Sequence, residues 1–353
     1  MNGLSSNAIL AKSRAMYGKR LTAQHYNDLL NCKSVSEVAG YLKNRTVYAP
    51  IFEGVNVTAI HRGQLELLLK KYAYRQFETL CKYELAIGQG FYKYFILRND
   101  IDMILTCVRL LYSGNPENYL LYMPVFFDEH TKLNQSKLAK VRSIQDLFKA
   151  LDGTEYKAVI APFVEHFDAT MGKLDIEAAL TRYKFETLKK ITEKDFKGKK
   201  AKDIIEVFAI QNDIRVIVNI YRFKKMIGGG KESLRQFILP EVSRIPAKHW
   251  NRIIEAADEK EVLASLKNTV YGKALKANDL DYFEDVAQRY LYRWFLKTLR
   301  FSTNPTVVMF CYVYLLENEI RNITHIIEGI RYGVPAADIK EMLIGAYDSS
   351  VSR

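Results

Sequence analysis

Three carboxylates stand in the same local setting. Asp100, Asp213 and Glu319 each follow an asparagine (Asn99, Asn212, Asn318) and precede an isoleucine. The asparagines are 113 and 106 residues apart. An acid repeated in this way can act as a general base, a metal ligand or one half of an ion pair, and the first two roles need company. That company is missing from the sequence. The six histidines (25, 61, 130, 166, 249, 325) form no His-x-x-x-His pair, and no cysteine stands near one at metal-ligand spacing. Gly228-Gly229-Gly230-Lys231 lacks Walker spacing and a Ser or Thr after the lysine, so it reads as a connector. No serine or cysteine lies in a nucleophile elbow. The expectation is therefore no catalytic residue, no metal and no cofactor, with each acid paired structurally to a neighbouring arginine.

The elements that must position these acids are themselves repeated. A helix-like segment ending in Thr-x-Tyr runs from Ser34 to Tyr48, from Ser143 to Tyr156 and from Asp258 to Tyr271. Next comes a glutamate with a basic residue and a tyrosine five and six positions later: Glu66, Lys71, Tyr72; Glu177, Arg182, Tyr183; Glu284, Arg289, Tyr290. The Asn-acid-Ile signal is third, and a glycine follows it at Gly114, Gly228 and Gly333. Three signals in three copies, in constant order, define a repeat of domain size, longer than the ~20–50 residues of ordinary solenoid units.

Periodicity sets the fold class. Ile101, Ile104, Leu105 and Val108 lie at helical spacing, as do Ile214, Ile217, Val218 and Tyr221, and Ile320, Ile323 and Ile327. The same face continues upstream to Leu97, Ile210 and Leu316, which puts each Asn-acid pair inside a long helix. The glycines beyond fit helix C-caps. Breaks at Met123-Pro124 and Leu239-Pro240 mark the handovers. The fold is expected to be all-α, with three similar helical units at residues 1–115, 116–230 and 231–353.

Composition bounds the rest. Only 8 Pro and 18 Gly argue against a turn-rich β chain, and 23 Tyr imply many rings at the edges of packed layers. With 52 Lys+Arg against 40 Asp+Glu the net charge is +12, which suits anionic lipid, nucleic acid or acidic proteins alike. The densest basic run, Lys189 to Lys202, reads as a solvated, mobile loop between helices. Cys32, Cys81, Cys107 and Cys311 show no CxxC spacing and read as free, mostly buried thiols. The longest apolar stretch, Val307 to Leu316, is about half of the ~20 residues a membrane span needs, so the chain is expected to be soluble.

Specific stretches carry a resemblance. NAILAKSRAMYGKRLT followed by YNDLL, LKNRTVY, FILRNDIDMI and LENEIRNITHIIEGIRYGVP resemble the family of C and d subunits of V-type and A-type rotary ATPases, over roughly Asn7 to Ala346. The resemblance implies a funnel of three helical domains about a pseudo-threefold axis, one copy per complex, seated on the cytoplasmic face of the proteolipid rotor ring. Its open side receives the central-stalk shaft, and it carries torque between ring and shaft without binding nucleotide. Contact with the membrane is peripheral, through the ring, and nucleic acid is no partner. Should the Asn-acid helices face the cavity, Arg98, Asp100, Arg109, Asp213, Arg222, Glu319 and Arg321 meet the shaft. The alternative for these residues is pairing with one another inside the same chain.

Two other classes compete. A basic helical scaffold for nucleic acid or acidic partners would interleave aromatics with a Lys/Arg stripe, whereas here the aromatics fall at helix-core spacing. A terpenoid-synthase-like enzyme would need aspartate-rich metal clusters, and the sequence has none.

Overall fold

The computed structural model describes residues 3–83, 90–123, 131–165, 172–226, 234–275 and 283–347. Among the described residues there are helices and no strands, as the periodicity requires. In chain order they are α1 (Gly3–Gly18), α2 (Ala23–Leu30), α3 (Val35–Arg45), α4 (Arg62–Tyr83), α5 (Gly90–Tyr112), the single turns α6 (Tyr119–Tyr122) and α7 (Gln135–Leu138), α8 (Ile144–Ala150), α9 (Glu155–Ile160), α10 (Gly172–Asp195), α11 (Gly198–Met226), α12 (Ala247–Glu255), α13 (Glu259–Leu266), α14 (Phe283–Phe301), α15 (Pro305–Tyr332) and α16 (Ala336–Met342).

Each Asn-acid pair lies inside a long helix: α5, α11 and α15. The glycine stops hold at two of the three positions. Gly114 and Gly333 adopt φ of 71° and 67°, a left-handed turn that side chains with a Cβ resist. Asn115 N then bonds Leu110 O at 3.0 Å and Val334 N bonds Gly329 O at 2.9 Å, closing both helices in the same way. Gly228 and Pro124 lie outside the described residues, and Pro240 opens a short 3-10 turn.

By compactness the chain divides into two units. One comprises Met1–Ile87 with Glu284–Arg353, the other Gly88–Phe283. In the first unit α15 is the spine. Asn304 caps it, Pro305 supplies a preset first turn, and every residue from Pro305 to Leu316 is buried. The apolar stretch Val307–Leu316 is thus a core helix wrapped by α1 and α4, and no helix among the described residues is long and apolar enough to cross a membrane. Each fully buried Val or Leu side chain there contributes about 1.5–3 kcal/mol. Arg14 of α1 donates to Leu299 O at 3.0 Å and Ser302 O at 2.7 Å, tying the first helix to the turn that enters α15. In the second unit α5 and α10 form the main helix pair, with α11 packed on α10.

The lysine run corrects the sequence reading. Lys189, Lys190 and Lys194 belong to α10, and Lys199, Lys200 and Lys202 to α11, so the connection is only Phe196–Lys197. Lysine is a good helix former, and cations complement a helix C-terminus, so a basic run need not be a loop. The Phe196 ring packs on Phe91 at 5.1 Å. The four cysteines are free thiols, with Cys81, Cys107 and Cys311 buried and Cys32 half-buried.

Candidate functional site

The repeated signals converge on a two-helix module and the acid that holds it. Modules run through α2–α3, α7–α8 and α12–α13, and the second helix of each opens on the same cap. The side chains of Ser34, Ser143 and Asp258 accept from the backbone N–H three residues on, at 3.1, 3.1 and 2.8 Å. The acid at that third position reaches back. Glu37, Asp146 and Glu261 accept from the amides of Lys33, Arg142 and Ala257 at 2.8, 3.1 and 2.8 Å. This reciprocal cap is worth about 1 kcal/mol per helix and fixes where it begins.

Thr-x-Tyr ends the module by a local mechanism. The hydroxyls of Thr46, Thr154 and Thr269 donate to Leu42 O, Leu151 O and Leu266 O at 2.6, 2.8 and 2.7 Å, satisfying carbonyls in the last helical turn. In the first and third copies the same hydroxyl accepts from the tyrosine amide, at 3.2 Å in both. The threonine therefore sets the backbone from which the tyrosine projects.

Each tyrosine then meets a carboxylate from another copy. Tyr156 donates to Asp100 Oδ2 at 2.8 Å, Tyr271 to Asp213 Oδ2 at 2.7 Å and Tyr48 to Glu319 Oε1 at 2.7 Å. The acid of copy 1 holds the module of copy 2, copy 2 holds copy 3, and copy 3 returns to copy 1. The order closes. A second donor comes from the entry to the same module: the Leu21 amide to Glu319 Oε2 at 2.8 Å and the Arg244 amide to Asp213 Oδ2 at 2.9 Å. At Asp100 the Thr131 hydroxyl and the Lys132 amide serve this purpose. Each acid is thus a clip that grips one module at both ends.

Burial sets the electrostatics. Asp100, Asp213 and Glu319 are 1%, 0% and 7% exposed. Burial pushes the carboxyls of Asp100 and Asp213 up to about 6 and that of Glu319 to about 7, against the pull of the donors that face them. Burial, and then the facing carboxylate, raises the phenols of Tyr48 and Tyr156, so both remain donors throughout the neutral range. Hydrogen bonds to a charged acceptor are worth about 1.5–3 kcal/mol each.

This corrects the expected arginine partners. The arginine whose charge acts on Asp213 is Arg244, whose guanidinium lies over the Tyr271 ring at 6.0 Å and pairs with Glu206 at 3.7 Å, while its amide is what bonds the acid. A tyrosine brings no charge of its own to be buried, which makes it the less costly partner in a dry site. The seven sequence candidates differ in burial. Asp100, Asp213 and Glu319 point inward. On the same three helices Arg109, Arg222 and Arg321 are exposed, and Arg98 is half-buried with its guanidinium 4.9 Å from the Phe95 ring. Arg109 also donates to Thr106 at 2.8 Å.

The second signal has a role of its own. The Tyr72 ring packs on Tyr48 at 4.6 Å, and Tyr183 faces Tyr156 at 6.1 Å. Arg182 reaches Gln236 O and Ile238 O at 3.4 Å, and Arg289 reaches Glu341 O at 2.6 Å, so each bonds the chain that follows its own copy's acid helix. The reading of the sequence missed the caps and the amide donors. The caps were visible as Ser or Asp followed three residues later by an acid. The amides of Leu21 and Arg244 carry no signal, because any residue but proline supplies one. Among the described residues no group of three or more His, Cys, Asp or Glu is placed to hold a metal ion. Held by at least two donors each and shielded from water, the clips are suited to fastening helices together.

Sequence comparison with known proteins covers nearly the whole chain. The sequence model of the ATP synthase (C/AC39) subunit family matches residues 9–342. The chain is 23% identical over 350 residues to the C subunit of the A-type ATP synthase of Methanocaldococcus jannaschii, covering 95% of this chain and 85% of that one. It is 25% identical over 349 residues to the subunit of the same name from Methanothermobacter thermautotrophicus, covering 94% and 86%. The match to that of Thermococcus gammatolerans is 24% over 345 residues, covering 94% and 88%.

Proposed function

From the ATP synthase (C/AC39) subunit family, to which this chain belongs, we propose that it is a non-catalytic part of a rotary ATPase that seats the central stalk on the membrane proteolipid ring and transmits rotation for ion transport. Its three helical units, residues 1–115, 116–230 and 231–353, are like parts set about the rotation axis, with one copy of the chain per complex. It works at the cytoplasmic face of the membrane and touches the membrane only through the ring. The exposed arginines Arg109, Arg222 and Arg321 are where a neighbouring subunit is met, while the clips act from inside.

The observation that carries this reading is the return of Glu319 to Leu21 and Tyr48. A torque coupler must not let its ends separate under load. Here the last acid helix holds the first module through a buried clip, and close-packed cores transmit strain. Deleting the chain is expected to leave ATP hydrolysis by the soluble catalytic head while abolishing ion pumping by the whole complex. Undiminished pumping without it contradicts the proposal.

A further inference from the structure

The compact unit that holds Glu319 also carries a groove of about 480 Å³ between α1, α4 and the turn at Thr46–Ile51. Lys12, Lys19 and Arg75 line it, and no acidic residue does. Met16, Val47 and Ile51 supply an apolar side, and Lys19 and Arg75 are exposed. Val47 is the residue between Thr46 and Tyr48, so the groove wall is the turn that the Glu319 clip holds from behind.

Copy 2 lacks these features. The residue between its Thr154 and Tyr156 is Glu155, ion-paired with Lys132 at 2.5 Å. The residue in register with Arg75, counted from the glutamate of the second signal, is Glu186. Cations flanking an apolar side are therefore absent from copy 2, whereas copy 3 keeps Val270 and Arg293 at the matching positions.

We infer that this groove is a docking site for an acidic protein segment with an apolar side chain as its anchor, contributed by a neighbouring subunit of the same complex. The inference rests on the rotary-ATPase reading above and adds the surface and the chemistry of the contact. Charge complementarity selects the partner: three cations with no lining acid favour carboxylates and repel basic segments. The apolar wall gives the anchor a place to be desolvated, where binding energy concentrates. An occupant pressing on Val47 presses on the backbone of Tyr48, so docking bears directly on the clip that joins the first module to the last helix.

The test compares wild type with Lys19→Glu/Arg75→Glu in the full-length chain, titrated separately with purified central-stalk subunits and with detergent-solubilised proteolipid ring. Both side chains are exposed, and circular dichroism checks that the fold is kept. Lys19→Arg/Arg75→Lys serves as the charge-conserving control. Binding to one of the two preparations is expected to weaken about tenfold or more, with a smaller loss at high salt, and the control is expected to bind as wild type does. Wild-type affinity of the reversed variant for both preparations overturns the inference and leaves the coupling role standing. Failure of the wild type itself to bind either preparation counts against the coupling role, and the inference falls with it.

Discussion

Asp100 and Asp213 reach forward 56 and 58 residues to their tyrosines, whereas Glu319 reaches back across 271. The chemistry is the same in each: a buried carboxylate, a phenol and a backbone amide. Loop closure grows only with the logarithm of length, so the longer reach costs about 1 kcal/mol more. That is less than one good hydrogen bond to a charged acceptor, so one type of contact can both join neighbouring copies and tie the last acid helix to the first module. The details differ in a telling way. Asp213 takes both donors on one oxygen, whereas Asp100 and Glu319 each spread theirs over both.

The largest effect is expected from removing the closing acid. Glu319→Ala leaves the Leu21 amide and the Tyr48 hydroxyl buried without an acceptor, at about 1–3 kcal/mol each, and should destabilise the chain by about 4 kcal/mol. Asp100→Ala should cost about as much or slightly less. The sharper contrast lies in where protection is lost. Amide exchange should accelerate in residues 21–60 for the Glu319 variant and in residues 131–160 for the Asp100 variant. Acceleration in the same segment for both removes the distinction between closing and local clips.

A smaller effect separates the two oxygen patterns. The Asp213 carboxyl sits at about 6 in the folded chain against an ordinary 3.8, so folding favours its protonated form. The stability this group contributes is full below about pH 4 and is lost as pH rises through about 6. Asp213→Asn removes that loss while one amide oxygen still receives both donors. It should stabilise the chain by about 1–2 kcal/mol at about pH 8 and change little at about pH 5. Glu319→Gln must turn an NH₂ toward one of its two donors, so it should gain nothing at either pH, although burial holds the Glu319 carboxyl at about 7. Thermal midpoints at the two pH values check this, and equal behaviour of the two amide variants contradicts the split-oxygen geometry.

Much of the fold is readable in the sequence because its signals are periodic or repeated. The Asn-acid pairs lie within α5, α11 and α15 as the apolar spacing requires, and Gly114 and Gly333 stop two of these helices. The site was less legible. Thr-x-Tyr and Asn-acid-Ile stand out as separate signals, yet Tyr156 with Asp100 and Tyr271 with Asp213 show them to be halves of one contact. Spacing along the chain cannot reveal this, since each half finds its partner in a different copy. Charge alone suggested arginine for the acids. Desolvation decides otherwise, because a buried guanidinium must itself be satisfied and a phenol has one proton to place. Likewise the lysine-rich run looked like a loop by charge, whereas helix propensity and the Phe196–Phe91 contact make it two helix ends.

The claim that the last copy grips the first is tested most directly by a double-mutant cycle on Glu319→Ala and Tyr48→Phe, read by denaturant unfolding at neutral pH. A direct buried hydrogen bond predicts a coupling of about 1–2 kcal/mol, with the double variant less destabilised than the sum of the singles. Additivity to within about 0.5 kcal/mol would mean that Tyr48 and Glu319 do not act together, and the closed order of clips would then be wrong.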